Sequence, residues 1–129
     1  MQILGDLDIS SLIKAANKFN EVLNLESNEI VRDAAIQRFE FTYELVWKTL
    51  RKIWLKRGVE ANSPKNVFRL AAKDSIIEDI DTWFAFIDYR NNTTHVYNES
   101  IAEEIYKNLP RFQNLTNTLI SKLHGSDFK

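Results

Sequence analysis

The 129-residue chain contains no cysteine. That excludes a disulfide framework, a thiolate zinc site and a cysteine nucleophile, and it fits a reducing compartment. Glycine is scarce, with three residues, and proline scarcer, with two; such a chain has little material for hairpin turns. No Gly/Pro-rich break divides it, so a single domain over 1–129 is expected. No apolar run approaches the roughly 18 residues of a membrane span. The opening Met1-Gln2-Ile3-Leu4-Gly5-Asp6 lacks the basic start and apolar core of a signal peptide. A cytoplasmic chain without a membrane anchor is the expectation. Lys and Arg number 17 against 18 Asp and Glu, for a net charge of -1, so any RNA contact needs a local basic patch. There is no glycine-rich phosphate loop, no His/Asp/Glu set at metal spacing and no visible Ser-His-Asp arrangement. We expect no metal or cofactor of its own.

What the chain does have is apolar bulk, 44% of its residues, with 12% aromatic. With so few turn formers, that balance predicts an all-α fold. Ile9, Leu12, Ile13, Ala16, Phe19 and Leu23 recur at steps of three and four after Asp8, a candidate cap for a first helix. Asn28 is a candidate N-cap for the longest helix, about Glu29 to Arg57, which Gly58 ends. On that helix Asp33, Gln37, Glu40, Glu44, Lys48 and Arg51 form a polar stripe expected to face water. Two apolar lines share the rest: Phe39, Tyr43, Val46, Leu50 and Ile53, and Ile30, Ala34, Phe41 and Leu45. A helix this broadly apolar is either central to a bundle or shared with a second subunit. Arg38 lies on the second line and should have a partner, by snorkelling, by an internal ion pair or in a site.

Ser63-Pro64 is a helix start, with Val67, Phe68, Leu70 and Ala71 inward. The next helix carries Ile77, Ile80, Phe84 and Ile87, with Trp83 beside them, and delivers Arg90 at its end. Ser100 with Glu103 fits a capping box for a last helix whose stripe is Ile101, Ile105, Leu109, Phe112, Leu115, Leu119 and Leu123, with a possible kink at Pro110. Gly125 should end it, leaving a flexible tail over about 125–129.

Between the last two helices lies Asp88-Tyr89-Arg90-Asn91-Asn92-Thr93-Thr94-His95-Val96-Tyr97-Asn98. On an unbroken helix Arg90 and His95 would point about 140° apart. Asn91-Asn92-Thr93-Thr94 can break the helix, because Asn and Thr bond readily to nearby backbone. An imidazole moves protons near neutral pH and a guanidinium binds anions, a pairing suited to phosphate chemistry. Metal-free RNA cleavage needs a base for the ribose 2'-hydroxyl, an acid for the leaving oxygen and a cation for the phosphate. One His and one Arg supply part of this set; two copies across a two-fold axis would supply all of it. Taken alone, an Arg-x4-His pair is a weak signal, since a histidine between helices is usually a capping or packing residue. His124 is isolated. The cations Lys48, Arg51, Lys52, Lys56 and Arg57 read first as dipole-complementing charge on a solvated face, and second as an RNA groove.

Three blocks together carry a resemblance: Arg38-Phe39-Glu40-Phe41-Thr42-Tyr43-Glu44-Leu45-Val46-Trp47-Lys48-Thr49-Leu50, then Ser63-Pro64-Lys65-Asn66-Val67-Phe68, then Arg90-Asn91 with His95-Val96-Tyr97-Asn98. Over nearly the whole chain, from the first helix to about Leu123, the sequence resembles the nucleotidyltransferase substrate-binding proteins, a branch of the HEPN superfamily. The resemblance implies an up-and-down four-helix-type bundle with an additional short helix, forming a homodimer. It implies a minimal nucleotidyltransferase (MNT) as partner. In toxin-antitoxin pairs of this kind the HEPN protein is a metal-independent endoribonuclease toxin, and the transferase antitoxin silences it by attaching AMP to a tyrosine. Carried onto this sequence, Arg90 and His95 are catalytic, Asn91 is a positioning residue and Tyr97 is the AMP acceptor. ATP and Mg²⁺ belong to the partner. The alternative that the family name preserves is a non-catalytic substrate-binding subunit of a two-component nucleotidyltransferase. From the residues alone, Tyr97 could equally pack its ring and cap the next helix.

Overall fold

The computed structural model of the chain describes residues 7–124. Gly125 as a helix end, the 125–129 tail and the first six residues lie outside the described residues. Helices α1 (Ser10–Leu23), α2 (Glu29–Lys56), α3 (Pro64–Lys73), α4 (Ile80–Asn92) and α5 (Glu99–His124) follow one another, and no strand occurs among the described residues. The all-α expectation holds, as an up-and-down bundle with α3 as the additional short helix. Helices α1, α2 and α5 pack mutually, while α3 bridges α2 and α4. None of the described helices is long and apolar enough to cross a membrane.

Local chemistry sets the helix ends. The Asn28 side chain accepts from the Val31 amide at 2.9 Å, and Ser63 accepts from the Asn66 amide at 3.3 Å just before Pro64. Each satisfies an otherwise orphaned first-turn donor. Gly58, at φ +78°, takes the left-handed position after α2 that a side chain would resist. Asp8 stands one residue further out than a cap: its carboxylate accepts from both the amide and the hydroxyl of Ser10, at 2.9 and 2.7 Å.

Aromatic rings fill the centre. Phe112 of α5 meets Phe39 at 4.8 Å, Phe86 at 5.2 Å, Phe19 at 5.7 Å and Trp83 at 6.0 Å between ring centroids, mostly edge to face. One residue thus ties α1, α2 and α4 to α5, and such ring pairs add roughly 0.5–1.5 kcal/mol each beyond their burial.

Two further expectations change. The inward face of α4 is Trp83 and Phe86, with Phe84 and Ile87 half-buried, and Ile77 is buried in the loop before the helix. A short helix with apolar residues nearly all round has no unique periodic solution, and the largest ring takes the core. Helix α5 is capped by Asn98, whose side chain accepts from the Ile101 amide at 3.2 Å, and not by Ser100. It runs unbroken through Pro110. The second apolar line of α2 is only partly covered within one chain: Ala34 and Leu45 are half-buried, whereas Ile30 and Phe41 are 80% and 58% exposed.

Candidate functional site

The break between α4 and α5 is built by threonines. Thr93 donates its hydroxyl proton to the Arg90 carbonyl at 2.8 Å, and Thr94 does the same to the Asn91 carbonyl at 3.3 Å. These side chains compete for carbonyls that a continuing helix would use. The chain then makes one 3-10 turn, Thr93–His95, and the Asn98 amide closes back on the His95 carbonyl at 3.0 Å before α5 begins. The expected interruption is present.

Arg90 sits at the last turn of α4, over the polar stripe of α2. Its Nη1 donates to the Thr93 hydroxyl at 3.3 Å and lies 3.6 Å from Glu40 Oε2, while its Nε lies 3.6 Å from Glu44 Oε2. Both carboxylates are within ion-pair reach but neither accepts a hydrogen bond from Arg90, and the buried Nε has no hydrogen-bond partner. The Nη2 edge is left without a protein partner among the described residues. Glu40 and Glu44 are therefore half-buried beneath Arg90, not turned to water as the stripe suggested. Glu44 also lies 3.7 Å from the Lys48 amine. Beneath them the phenol of Tyr43 is pushed up by burial and by the Glu44 charge, with the Arg90 cation opposing.

His95 is exposed, and its Nδ1 lies 3.2 Å from the Tyr97 hydroxyl, the two rings meeting edge to face. Tyr97 is 82% exposed. It neither packs its ring nor caps α5, a task Asn98 performs. Asn91 is exposed and contributes its carbonyl to Thr94. Arg90, Asn91, His95 and Tyr97 thus share one break in the helices, but among the described residues Arg90 makes no bond to His95. Beside them a shallow depression of about 360 Å³ runs between Asp33, Gln37 and Glu40 of α2 and Val96 of the break.

Arg32 was not singled out by the sequence, yet it fixes where α5 starts. Its side chain is 6% exposed and donates to Glu99 at 2.7 and 3.2 Å, to Glu103 at 2.9 Å and to Asp33 at 3.2 Å. The signal was available: Arg32 precedes Ala35, Ile36 and Phe39 at helical steps on a core-facing line. Arg38 does have a partner, the Lys18 carbonyl at 2.7 Å, and makes no ion pair among the described residues. Of the cations closing α2, Arg57 pairs with Asp74 and lies over Trp54, while Lys48, Arg51, Lys52 and Lys56 are exposed. His124 is exposed at the end of the described α5.

Comparison with known proteins adds four findings. A family model described as "Nucleotidyltransferase substrate binding protein like" matches residues 7–125. A Haemophilus influenzae protein named "Probable ribonuclease HepT" is 30% identical over 94 residues, which is 69% of this chain and 64% of that relative. The match thus spans somewhat less than two thirds of the relative's length. A crystal structure of a Thermus thermophilus protein superposes with a TM-score of 0.82 at 36% identity, over 88% of this chain and 99% of that one. A Haemophilus influenzae structure, described as revealing the fold of a substrate binding domain of a nucleotidyltransferase, superposes with a TM-score of 0.78 over 92% of this chain and 100% of that one. At 23% identity that last likeness speaks to the fold.

Proposed function

We propose, on the premise that this chain belongs to the nucleotidyltransferase substrate binding protein like family, that it is a metal-independent endoribonuclease toxin. In this reading it works as a homodimer in the cytoplasm and is neutralised by a minimal nucleotidyltransferase that attaches AMP to Tyr97. The observation that carries the reading is the pairing of His95 Nδ1 with the Tyr97 hydroxyl, 3.2 Å apart.

A phenolic hydroxyl can donate or accept. In the imidazolium, Nδ1–H donates to the Tyr97 oxygen and the proton on Nε2 can be given up, so the ring acts as a general acid. When Nδ1–H of the neutral ring donates to Tyr97, Nε2 presents a lone pair and can act as a general base. One contact therefore supports both halves of RNA cleavage. The base takes the proton of a ribose 2'-hydroxyl, the 2'-oxygen bonds to the adjacent phosphorus, and the bond from phosphorus to the 5'-oxygen breaks. The acid protonates that leaving oxygen, giving a 2',3'-cyclic phosphate and a 5'-hydroxyl end. Arg90 offers its free Nη2 edge to the phosphate oxygens, where charge builds in the transition state. Asn91, exposed beside it, positions the strand. One His95 supplies acid or base at a given instant, so the dimer brings two half-sites together.

AMP addition acts on the same contact. The Tyr97 oxygen bonds to the α-phosphorus of ATP as the bond to pyrophosphate breaks, with ATP and Mg²⁺ held by the transferase. The phenol proton is released with the pyrophosphate, the Tyr97 oxygen becomes an ester oxygen that accepts poorly from Nδ1–H, and a phosphodiester stands beside Nδ1 where an RNA phosphate would come, excluding it by bulk and like charge.

A second reading is a non-catalytic substrate-binding subunit of a two-component nucleotidyltransferase. It is favoured by the two carboxylates that flank Arg90 and by the absence of an Arg90–His95 bond. Intact mass of wild type and Tyr97→Phe, before and after incubation with the transferase, ATP and Mg²⁺, separates the two when RNA cleavage is assayed on the same samples. The toxin reading expects a gain of whole AMP units in wild type alone, with loss of cleavage. Neither gain nor cleavage in any sample leaves the binding-subunit reading. A monomer in sedimentation at micromolar concentration overturns the dimer.

A further inference from the structure

Between α1 and α2 lies a cleft of about 310 Å³ lined by Ser11, Lys14, Ala15, Lys18, Arg38 and Phe41. It contains three cations and no carboxylate, on a chain whose net charge is -1. Lys14 and Lys18 are exposed, one helical turn apart on α1, and among the described residues neither they nor Arg38 form an ion pair. The Arg38 guanidinium is fixed across the cleft by its bond to the Lys18 carbonyl, 2.7 Å away, which leaves further N–H donors for a ligand. Ala15 keeps the floor low. Phe41 stands at the rim, 58% exposed, which is unusual for so large an apolar ring.

Unpaired cations beside an exposed aromatic face make the combination that holds single-stranded nucleic acid: the base stacks and the phosphates pair. The cleft also leads to the site already described. Arg38, Phe41 and Glu44 succeed one another at steps of three on α2, and such residues are surface neighbours, roughly 5–6 Å apart at Cβ. Glu44 is within ion-pair reach of Arg90. A continuous strip therefore runs from Arg90 over Phe41 to Lys14 and Lys18.

We infer that this cleft is an RNA-strand subsite, in which a base beyond the cleaved bond stacks on Phe41 and its flanking phosphates lie on Lys14, Lys18 and Arg38. The inference rests on the ribonuclease reading for the direction of the strand, but the cleft's affinity for RNA is measurable by itself. It also supplies the local basic patch that the chain's overall charge withholds.

The test uses the full chain carrying His95→Ala, so that RNA survives, and a fluorescein-labelled single-stranded RNA of about a dozen nucleotides, read by anisotropy. Adding Lys14→Ala and Lys18→Ala together should weaken binding about tenfold and flatten the slope of log affinity against log salt by about 1.4, two phosphate contacts' worth. Adding Phe41→Ala should also weaken binding about tenfold, with the salt slope unchanged, because stacking releases no counterion. Lys107→Ala, on α5 and outside the lining of the cleft, is the control and should change affinity less than about twofold. Affinities and slopes equal to the parent's in the cleft variants, or no RNA binding by any of the proteins, overturn the subsite. So does dissociation of a dimer on Phe41→Ala, which would make this face a contact between copies. Cleavage by the unmutated chain is followed in parallel. Cleavage with unchanged affinity in the cleft variants sinks the subsite alone. Cleft-dependent binding without cleavage sinks the ribonuclease reading alone.

Discussion

The Nδ1 atom of His95 lies 3.2 Å from the hydroxyl of Tyr97, on side chains that both face solvent. The contact fixes one ring nitrogen and leaves the other for chemistry. Tyr97→Phe removes the hydroxyl and keeps the ring, so it should lower RNA cleavage by less than about tenfold, the worth of one orienting hydrogen bond. His95→Ala should lower it at least about a hundredfold. Neither should change the thermal midpoint appreciably, since exposed side chains contribute little to folding. Steady-state cleavage and melting curves on the three proteins check this; Tyr97→Phe as inactive as His95→Ala would mean that the phenol itself carries a step.

Glu40 and Glu44 place two carboxylates beside Arg90, with Lys48 near Glu44, where the ribonuclease reading puts an RNA phosphate. Exchanging both glutamates for glutamine should strengthen RNA binding to a His95→Ala chain several-fold at low salt and much less at high salt, because removed repulsion is screened away. Cleavage in the His95 protein should fall nonetheless, since Arg90 loses the charges that hold its guanidinium in line. A variant that binds no better would show that Arg90 does not meet the phosphate.

Arg32 converges on three carboxylates, those of Asp33, Glu99 and Glu103. Arg32→Ala would leave these anions facing one another, though exposed to water, and should cost about 1 kcal/mol, measurable as a lowered urea midpoint. The loss should be local first. Amide exchange at Ile101 and Ala102, in the first turn of α5, should speed up more than exchange within α3. Uniform acceleration across all helices would argue that Arg32 serves the whole bundle and does not position the segment after Tyr97.

The parts of this architecture legible in the sequence are those decided over a few neighbouring residues. Asn28, Ser63-Pro64 and Gly58 act within one turn, and each end falls close to its expected place. The helix break at Asn91–Thr94 is likewise local, since threonine hydroxyls reach their own preceding carbonyls. What escaped needed the third dimension. Glu40 and Glu44 read as a wet stripe because nothing in α2 announces that the end of α4 lies over them. Arg32 lies 67 and 71 residues from the glutamates it binds. On α4 five successive apolar residues, Trp83 to Ile87, left the inward face undetermined, and packing against the other helices settled it. The burial of Tyr43 beneath Arg90, and the link from Phe41 to the α1 lysines, emerge only once α1, α2 and α4 are packed.

Several carboxyls are held below the ordinary carboxylate range: Asp79 by its bond from Thr82 and then Arg111, Glu99 by Arg32, and Glu104 by Lys107. Such a group adds stability above its unfolded pKa, about 4, and the contribution is lost as pH falls through the lower folded value. The thermal midpoint should therefore be level between about pH 5 and 7 and fall below about pH 4. Tyr43 and Tyr89 are shifted upward, chiefly by burial. The folded chain keeps those phenol protons where the unfolded chain gives them up, so stability is full below about pH 10 and lost above it. Melting from pH 2 to 11 checks both limbs, and Arg32→Ala should soften the acid limb by releasing Glu99.

Pro110 is exposed and interior to α5, which runs from Glu99 to His124. It has no N–H for the Tyr106 carbonyl, and its ring crowds the preceding turn. Pro110→Ala should restore that bond and stabilise the chain by about 1–2 kcal/mol, less than the roughly 3 kcal/mol a proline costs in a free helix, because the packed helix has already adjusted around it. A higher urea midpoint with unchanged slope is the expected result. The reverse outcome would carry its own meaning. The half before Pro110 holds Glu99 and Glu103 on Arg32, and the half after it seats Phe112 among Phe19, Phe39, Trp83 and Phe86. If alanine destabilises the chain, the helix needs the proline's geometry to satisfy both attachments at once, and the position of the segment from His95 to Asn98 depends on a residue more than ten positions away.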